Sequence, residues 1–455
     1  MSDTIAAIAT GEFVTAIGII RISGDSALTV SDNVFRHAGK SSPKFAKNRH
    51  MYYGELVDEN EELLDICMCA VFPAPNSYTG ENMAELYCHG SPAVLAEIMQ
   101  LLNRQKVRTA KPGEFTERAF LNGKMDLTQA EAVIDIIESE TSAIAKNAAA
   151  QLKGVVGQKL TRIYDKLLDI IAHFHAVIDY PDEDIDEFEL QNHNKTMTEA
   201  INELKKLLKT YERGRLLKEG IPTAIVGRTN TGKSSLLNAI LGYERAIVTD
   251  IPGTTRDTIE EKIRIGSNLL HLIDTAGVRA TSDAVEQLGV KRTISALEKA
   301  KLVIMVFDSS QPPGSDDFEI IGKIPDDTPK IAVINKIDLK QTFDIAELEA
   351  QKFPICYTSA LSGDGIEDLI EEIAKQFPEP MHTAGEIITN QRQSEALAKA
   401  VESLQNAKEA LAALVTSDAV LTDIELALSA IGELTGKTVR EEIISRIFER
   451  FCVGK

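Results

Sequence analysis

Gly227-Arg228-Thr229-Asn230-Thr231-Gly232-Lys233-Ser234 is the stretch on which the fold turns. It satisfies the pattern GxxxxGK followed by Ser or Thr. A β-branched run, TAIV at 223–226, precedes it, and an amphipathic helical stretch, SSLLNAIL at 234–241, follows. Glycines at these places let backbone N–H groups curl around an anion, and the helix N-terminus adds a favourable dipole. Lys233 then reaches the outer phosphates of a nucleotide, and Ser234 can ligate magnesium. A chance glycine-rich turn would lack the strand on one side and the helix on the other.

Working outward, short apolar runs alternate with helical stretches from Ile221 to about Phe377: PTAIV, NLLHLI, KLVIMVF, KIAVI and PICYTSA. That alternation predicts a mostly parallel sheet with crossover helices. Three further motifs fall at strand ends. Asp274-Thr275-Ala276-Gly277 follows NLLHLI; Asp274 would hold magnesium through water, and the Gly277 N–H would meet the terminal phosphate. Asn335-Lys336-Ile337-Asp338 ends KIAVI. The Asp338 carboxylate can accept from both N1–H and N2–H of guanine, donors that adenine does not offer there, so the expected base is guanine. Ser359-Ala360-Leu361 would back the base. Gly253-Thr254-Thr255-Arg256-Asp257 lies where a switch loop is expected, with Thr255 sensing the terminal phosphate through magnesium. Together these elements point to GTP hydrolysis.

The position after Asp274–Gly277 is Val278, whereas many switch GTPases place a water-orienting Gln there. Two residues are candidates for the missing work. Glu286 is either the carboxylate that positions water or an exposed helix residue. Asn230 either lends an amide oxygen to a monovalent cation or merely forms the turn.

The chain has 455 residues, enough for two to four domains. Its 49 basic and 69 acidic residues give a formal charge of −20, which excludes a nucleic-acid binder held by bulk charge. Five scattered cysteines make no disulfide framework. No apolar run is long enough to span a bilayer, and the N-terminus lacks the basic-then-apolar order of a signal peptide. The expectation is a reduced, cytoplasmic protein.

Residues 1–118 read as mixed α/β, with strands at Ala16–Ile22, Ile66–Phe72 and Met83–His89 and a proline-opened helix at Pro92–Leu102. Residues 119–217 read as long helices, including Leu127–Ser139 and Leu160–Ile178. An acidic run follows at 181–189, read as a solvated loop or cap. The GTPase block is assigned 218–379. Residues 380–455 return to helix, from Gln391 to Leu414 and from Asp423 to the end. The expected architecture inserts one α/β domain into a helical domain whose halves pair across the insertion.

The sequence resembles the MnmE (TrmE) family of bacterial tRNA-modification GTPases over essentially its full length. The resemblance is carried by GRTNTGKSSLLN, TDIPGTTRD, DTAGVR, NKID, KPGEFTERAFLNGKMDL at 111–127 and the terminal FCVGK. It implies a GTPase activated by potassium and by dimerisation of its nucleotide domains. Asn230 matches the potassium ligand, with Thr249, Ile251 and Thr254 completing the cage; Glu286 matches the water-positioning residue; Arg256 and Arg279 sit in the switch loops. The expected magnesium ligands are Ser234 and Thr255. The nucleotide-contact set comprises Asn230, Thr231, Gly232, Lys233, Ser234 and Ser235; Thr249, Asp250, Ile251, Pro252, Gly253 and Thr254; Asp274, Thr275, Ala276 and Gly277; Asn335, Lys336 and Asp338; and Ser359, Ala360 and Leu361. The expected catalytic set is Glu286, Lys233, Asn230 and Arg256.

The resemblance also implies an N-terminal domain that dimerises and binds a tetrahydrofolate derivative (5-formyltetrahydrofolate or methylenetetrahydrofolate) through Arg21, Glu85, Lys124 and Lys455. The implied partner is the FAD- and NADH-using MnmG (GidA). The implied reaction installs an aminomethyl or carboxymethylaminomethyl group at carbon 5 of the tRNA wobble uridine, the folate supplying one carbon. This sequence departs from the family pattern in three places: Thr229 replaces a proline in the phosphate loop, the usual glycine-rich stretch reads Thr10–Ala16 as TGEFVTA, and His-Gly-Gly reads His89-Gly90-Ser91. A rival reading is a GTP-dependent ribosome-assembly or RNA-binding switch, which wants a basic appendage that the acidic flanks do not offer.

Outside these motifs the readings are plainer. Cys452 is either a buried hydrophobe or a tail thiol. Cys67 and Cys69 share a strand face and read as core. His173 and His175, two apart on a helix, point in different directions and form no metal pair. Arg104, Lys106, Arg108 and Lys111 form the best basic cluster, either a solvated surface or a seat for tRNA phosphates or a folate glutamate tail.

Overall fold

A computed structural model describes residues 3–11, 13–37, 50–179, 187–243, 261–266, 268–273, 296–378, 385–413, 416–438 and 441–454. The chain forms two units. One comprises Met1–Ile134, Gln151–Ala200 and Lys399–Lys455, the other Asp135–Ala150 and Ile201–Ala398.

The first unit holds a seven-stranded sheet of β1 (Ile5–Ile8), β2 (Thr15–Ser23), β3 (Phe35–His37), β4 (Met51–Val57), β5 (Leu63–Phe72), β6 (Met83–Gly90) and β7 (Arg108–Thr109). Their order is β3-β4-β5-β6-β2-β1-β7. All neighbours run antiparallel except β1 and β7. The period-2 alternation of β2 decides its faces: Ile20 and Ile22 are buried while Ile17 is exposed. The buried face packs on Leu95, Ile98, Leu101 and Leu102 of helix Pro92–Arg104, which has proline in its first turn. Cys67, Cys69 and Cys88 belong to that core, so the C-x-C pair is packing.

Helix Leu127–Ile137 packs Leu127, Ala130 and Val133 against Ile444, Phe448 and Phe451 near the C-terminus. Helix Val155–Asp179 lies against Ser417–Thr435. The helical period read from Asp423 to the end is two helices, because the left-handed Gly436 ends the first and Glu441–Phe448 forms the second. His173 points at His193, Nδ1 to Nε2 at 2.8 Å, whereas His175 faces Glu425.

The second unit holds a six-stranded sheet of β8 (Ile221–Val226), β9 (Glu261–Ile265), β10 (Asn268–Leu272), β11 (Leu302–Asp308), β12 (Lys330–Asn335) and β13 (Ile355–Tyr357). The order is β13-β12-β11-β8-β10-β9, parallel throughout except the β10–β9 edge pair. Every residue of β11 is buried, as a central parallel strand covered on both faces requires. One face packs on Leu236, Leu237 and Ile240 of helix Lys233–Tyr243 and on Leu369 and Ile373 of helix Ile366–Gln376. The other packs on Leu297, Ile324 and Leu348. The carboxyl ends of β8, β11, β12 and β13 therefore open on one edge, where ligands bind in such sheets.

Candidate functional site

The phosphate loop leaves β8 at Gly227 and re-enters helix Lys233–Tyr243. Gly232 has φ +94°, and a Cβ there would stand 2.3 Å from Asn335 Nδ2, so a side chain would break the contact between the two loops. Lys233 Nζ donates to the carbonyls of Gly227 (2.8 Å) and Arg228 (2.7 Å). Its ammonium is thus folded over the loop, and burial pushes its pKa below the ordinary lysine value. Thr231 Oγ1 donates to Arg228 O at 3.0 Å. Ser234 and Ser235 are exposed on the first turn of the helix.

The loop after β12 grips the phosphate loop at two successive carbonyls. Asn335 Nδ2 donates to Thr231 O at 3.0 Å, and Lys336 Nζ donates to Asn230 O at 2.6 Å. Asn335 Oδ1 accepts from Ala360 N at 3.1 Å, which ties in the loop after β13. The buried Ser359 donates its hydroxyl to Asp338 Oδ1 at 2.6 Å, fixing an exposed carboxylate at the mouth. Leu361 is 88% exposed beside it. The structure thus brings Asn230, Thr231, Gly232, Lys233, Asn335, Lys336, Asp338, Ser359 and Ala360 into one place. Thr249, Asp250, Ile251, Pro252, Gly253, Thr254, Thr255, Arg256, Asp274, Thr275, Ala276, Gly277, Arg279, Glu286 and Lys455 lie outside the described residues.

A second polar cluster sits on the N-terminal sheet. Arg21 on β2 faces Glu85 on β6 in register, with Arg21 Nε to Glu85 Oε1 at 2.9 Å. The guanidinium lies 5.4 Å from the Tyr78 ring centre and 5.7 Å from that of Phe115. Tyr87 donates its hydroxyl to Glu85 Oε2 at 2.6 Å. Burial first, then that bond to the carboxylate, leaves the Tyr87 pKa pushed up to about 12. The C-terminal tail closes the cluster: Gly454 O accepts from Arg21 at 3.3 Å, and Cys452 O accepts from Gly113 N at 3.3 Å. Cys452 itself is exposed, which removes the buried reading. Lys124 Nζ donates to Pro75 O at 3.0 Å.

Sequence reading named Arg21 and Glu85 but missed Tyr78, Tyr87, Phe115 and Gly454. The period-2 alternation of β6 puts Tyr87 on the same face as Glu85; nothing local marks the tail. In the basic cluster, Arg108 pairs with Asp3 and Glu114, and Arg104 faces Glu59. Those two cations are matched by carboxylates, while Lys106 and Lys111 are exposed.

A backbone cradle for phosphates, gripped by a loop that presents a carboxylate able to take two guanine donors, defines a class: the second unit is the catalytic domain of a phosphate-loop GTP hydrolase. Family models for the MnmE helical domain and the GTP-binding protein TrmE N-terminus match residues 127–452 and 4–124. The chain belongs to the MnmE family of tRNA modification GTPases. A relative of that description from Clostridioides difficile is 42% identical over 462 residues and is covered along its whole length, as is this chain. Relatives from Thermoanaerobacter sp. (strain X514) and Natranaerobius thermophilus are each 41% identical, with 100% of this chain and 99% of theirs covered. Among the described residues no helix is long and apolar enough to cross a membrane.

Proposed function

We propose that this GTPase is activated by potassium and acts as a homodimer. In this reading it works with FAD-containing MnmG to install aminomethyl or carboxymethylaminomethyl groups at carbon 5 of the tRNA wobble uridine. The observation that carries the reading is the Arg21–Glu85 pair with the C-terminal tail folded onto it, in a chain that matches relatives named for tRNA modification along its whole length. The pair offers donors and acceptors that suit the amino and carbonyl groups of a reduced pterin, with Tyr78 and Phe115 as aromatic neighbours. Bound folate would supply one carbon, potassium a positive charge beside the phosphates, and magnesium a clamp on them.

Roles in the nucleotide site are read from placement for Asn230, Lys233, Ser234 and Asp338, and from the family resemblance alone for Thr249, Ile251, Thr254, Thr255, Arg256 and Glu286. Lys233 exchanges the loop carbonyls for outer phosphate oxygens. Ser234, exposed on the first helical turn, holds magnesium with Thr255. Asn230 presents an exposed amide at the loop rim, suited to a weakly held monovalent cation with Thr249, Ile251 and Thr254. Glu286 positions water, and Arg256 acts from the switch loop. Asp338 reads guanine. Dimerisation is supported by the outer sheet face, where Ile17, Tyr53, Ile66 and Met68 are all exposed, a grouping that water disfavours. The domain assignments 1–118, 119–217, 218–379 and 380–455, and a cytoplasmic location, belong to the same reading.

Mass spectrometry of wobble uridines in tRNA from a deletion strain tests it: the modified uridine disappears. Unchanged modification would favour the assembly-switch reading.

Two predictions belong to this reading. Asn230→Ala removes the stimulation of GTP hydrolysis by KCl over NaCl, while fluorescent GDP still binds within about threefold of the parent affinity. Equal wild-type rates in the two salts would count against potassium. Gly454→Ala loosens the tail. Gly454 has φ +98°, and a Cβ there would stand 2.6 Å from Ile8 O, so the tail must shift and the Arg21 contact is lost. Calorimetric titration with 5-formyltetrahydrofolate is expected to show affinity down about tenfold, roughly 1.4 kcal/mol, with GTP turnover unaltered. Full folate affinity in the variant would rule out the tail as part of that site.

A further inference from the structure

Five non-glycine residues among those described have positive φ, and two of them, Asn230 and Lys336, both at +64°, are joined by a single ammonium. Asparagine tolerates this left-handed conformation better than most residues, but the conformation still has to be held. The Lys336 ammonium holds it by donating to Asn230 O at 2.6 Å.

The other partner of that ammonium is Asp308, at the end of β11. Asp308 Oδ2 lies 2.6 Å from Lys336 Nζ, and the carboxylate is buried. Its Oδ1 accepts from Ser310 N at 2.9 Å and from Ser310 Oγ at 2.6 Å. Burial pushes the Asp308 pKa up, but the bonds from Lys336 and Ser310 outweigh it and hold the carboxyl below its ordinary value. The Lys336 backbone is fixed as well, its carbonyl accepting from Ser309 Oγ at 2.7 Å. A buried charge in the sheet, a lysine in the base-reading loop and the rim of the phosphate loop therefore form one rigid line. Asp338, which would take the base, lies two residues beyond Lys336.

We propose that Asp308 is the positioning residue for the monovalent-cation seat: by anchoring the Lys336 ammonium on the Asn230 carbonyl, it fixes where the Asn230 amide oxygen stands and couples cation binding to base binding. The proposal rests on the potassium reading above. Without the carboxylate, the ammonium swings toward solvent, Asn230 relaxes from its left-handed conformation, and the amide leaves the cation. Linkage then requires that guanine nucleotide and potassium assist one another in the wild type and do so less in the variant.

The test uses the full chain and Asp308→Asn. Potassium chloride is titrated against sodium chloride at constant ionic strength. Two quantities are followed: GTP turnover at saturating GTP, and formation of the fluorescent GDP–aluminium fluoride complex. Wild type is expected to show a defined half-saturating potassium concentration in both. In Asp308→Asn that concentration rises about tenfold, and turnover recovers most of its maximum at high potassium. A merely structural role would lower the maximum and leave the half-saturation point in place. Ser310→Ala, which removes one of the two bonds on Oδ1, is expected to give a smaller shift in the same direction, about threefold, and serves should Asp308→Asn fail to fold. An unchanged half-saturation point in a folded variant overturns the proposal. A wild type indifferent to potassium overturns the potassium reading and the proposal together, so the two failures are told apart.

Discussion

Asp338→Asn is expected to weaken GTP binding by about 10³-fold, roughly 4 kcal/mol. The carboxylate stands at the mouth of the site with Oδ1 fixed by Ser359 Oγ at 2.6 Å. Ser359 is buried, so this orientation is preset. Guanine presents two donors on one edge, N1–H and the 2-amino group, and a carboxylate offers an acceptor to each, both bonds assisted by charge. Asparagine keeps one acceptor and turns the other into a donor. That donor faces a guanine donor, so one bond is lost, the charge is lost, and two N–H groups oppose each other. Xanthine reverses the argument, because it keeps N1–H but carries a carbonyl at carbon 2, which suits the asparagine amide. The variant is therefore expected to bind xanthosine diphosphate more tightly than GDP. Titration with fluorescent analogues of both checks this. GDP affinity within about threefold of the parent would show that Asp338 is not the base reader.

Whatever is written in a short contiguous stretch was legible. The phosphate loop, its flanking strand and helix, and the loops after β12 and β13 each declare themselves within ten residues or so, because one turn or strand end sets each geometry. Strands β8, β10, β11 and β12 were legible for a related reason: a strand buried on both faces is a continuous apolar run. β7 could not be read, since Arg108 and Thr109 are exposed and polar and become a strand only by pairing with Ile5 and Ala6. β1, only Ile5–Ile8, is too short for a period to be counted. In β4 the mid-strand Gly54 weakens the pattern. β9 does alternate, burying Ile263 and Ile265, but five residues on a sheet edge make a faint signal.

The contacts that complete the sites are long-range, and that is why pattern reading passed over them. Asp308 meets Lys336 across two parallel strands, Arg21 meets Glu85 through a register fixed by the whole sheet, and Gly454 reaches Arg21 from the far end of the chain. Spacing in the sequence carries no trace of such pairings. The resemblance to a known family supplied Arg21 and Glu85 by position, but the aromatic neighbours and the buried aspartate required side chains placed in space.

Lys233→Ala is expected to separate chemistry from base recognition. Among the described residues the Lys233 ammonium rests on the carbonyls of Gly227 and Arg228, neutral acceptors that outer phosphate oxygens readily replace. Burial lowers its pKa from the usual lysine value, so the charge sits where water screens it weakly, and its attraction for phosphate is correspondingly strong. Charge gathers on the outer phosphate oxygens as the bond to the leaving group lengthens, so the ammonium is worth more in the transition state than in the ground state. Turnover should fall by about 10³-fold, roughly 4 kcal/mol, with a smaller loss of GTP affinity. Guanine should still be preferred over xanthine, because Asp338 is untouched. The Asp338→Asn variant should show the opposite pattern: altered base choice, with turnover restored when xanthosine triphosphate is supplied at saturation. Single-turnover hydrolysis at saturating nucleotide distinguishes the two. Should Lys233→Ala turn over within about tenfold of the parent, the charge that stabilises the departing phosphate must come from elsewhere in the site.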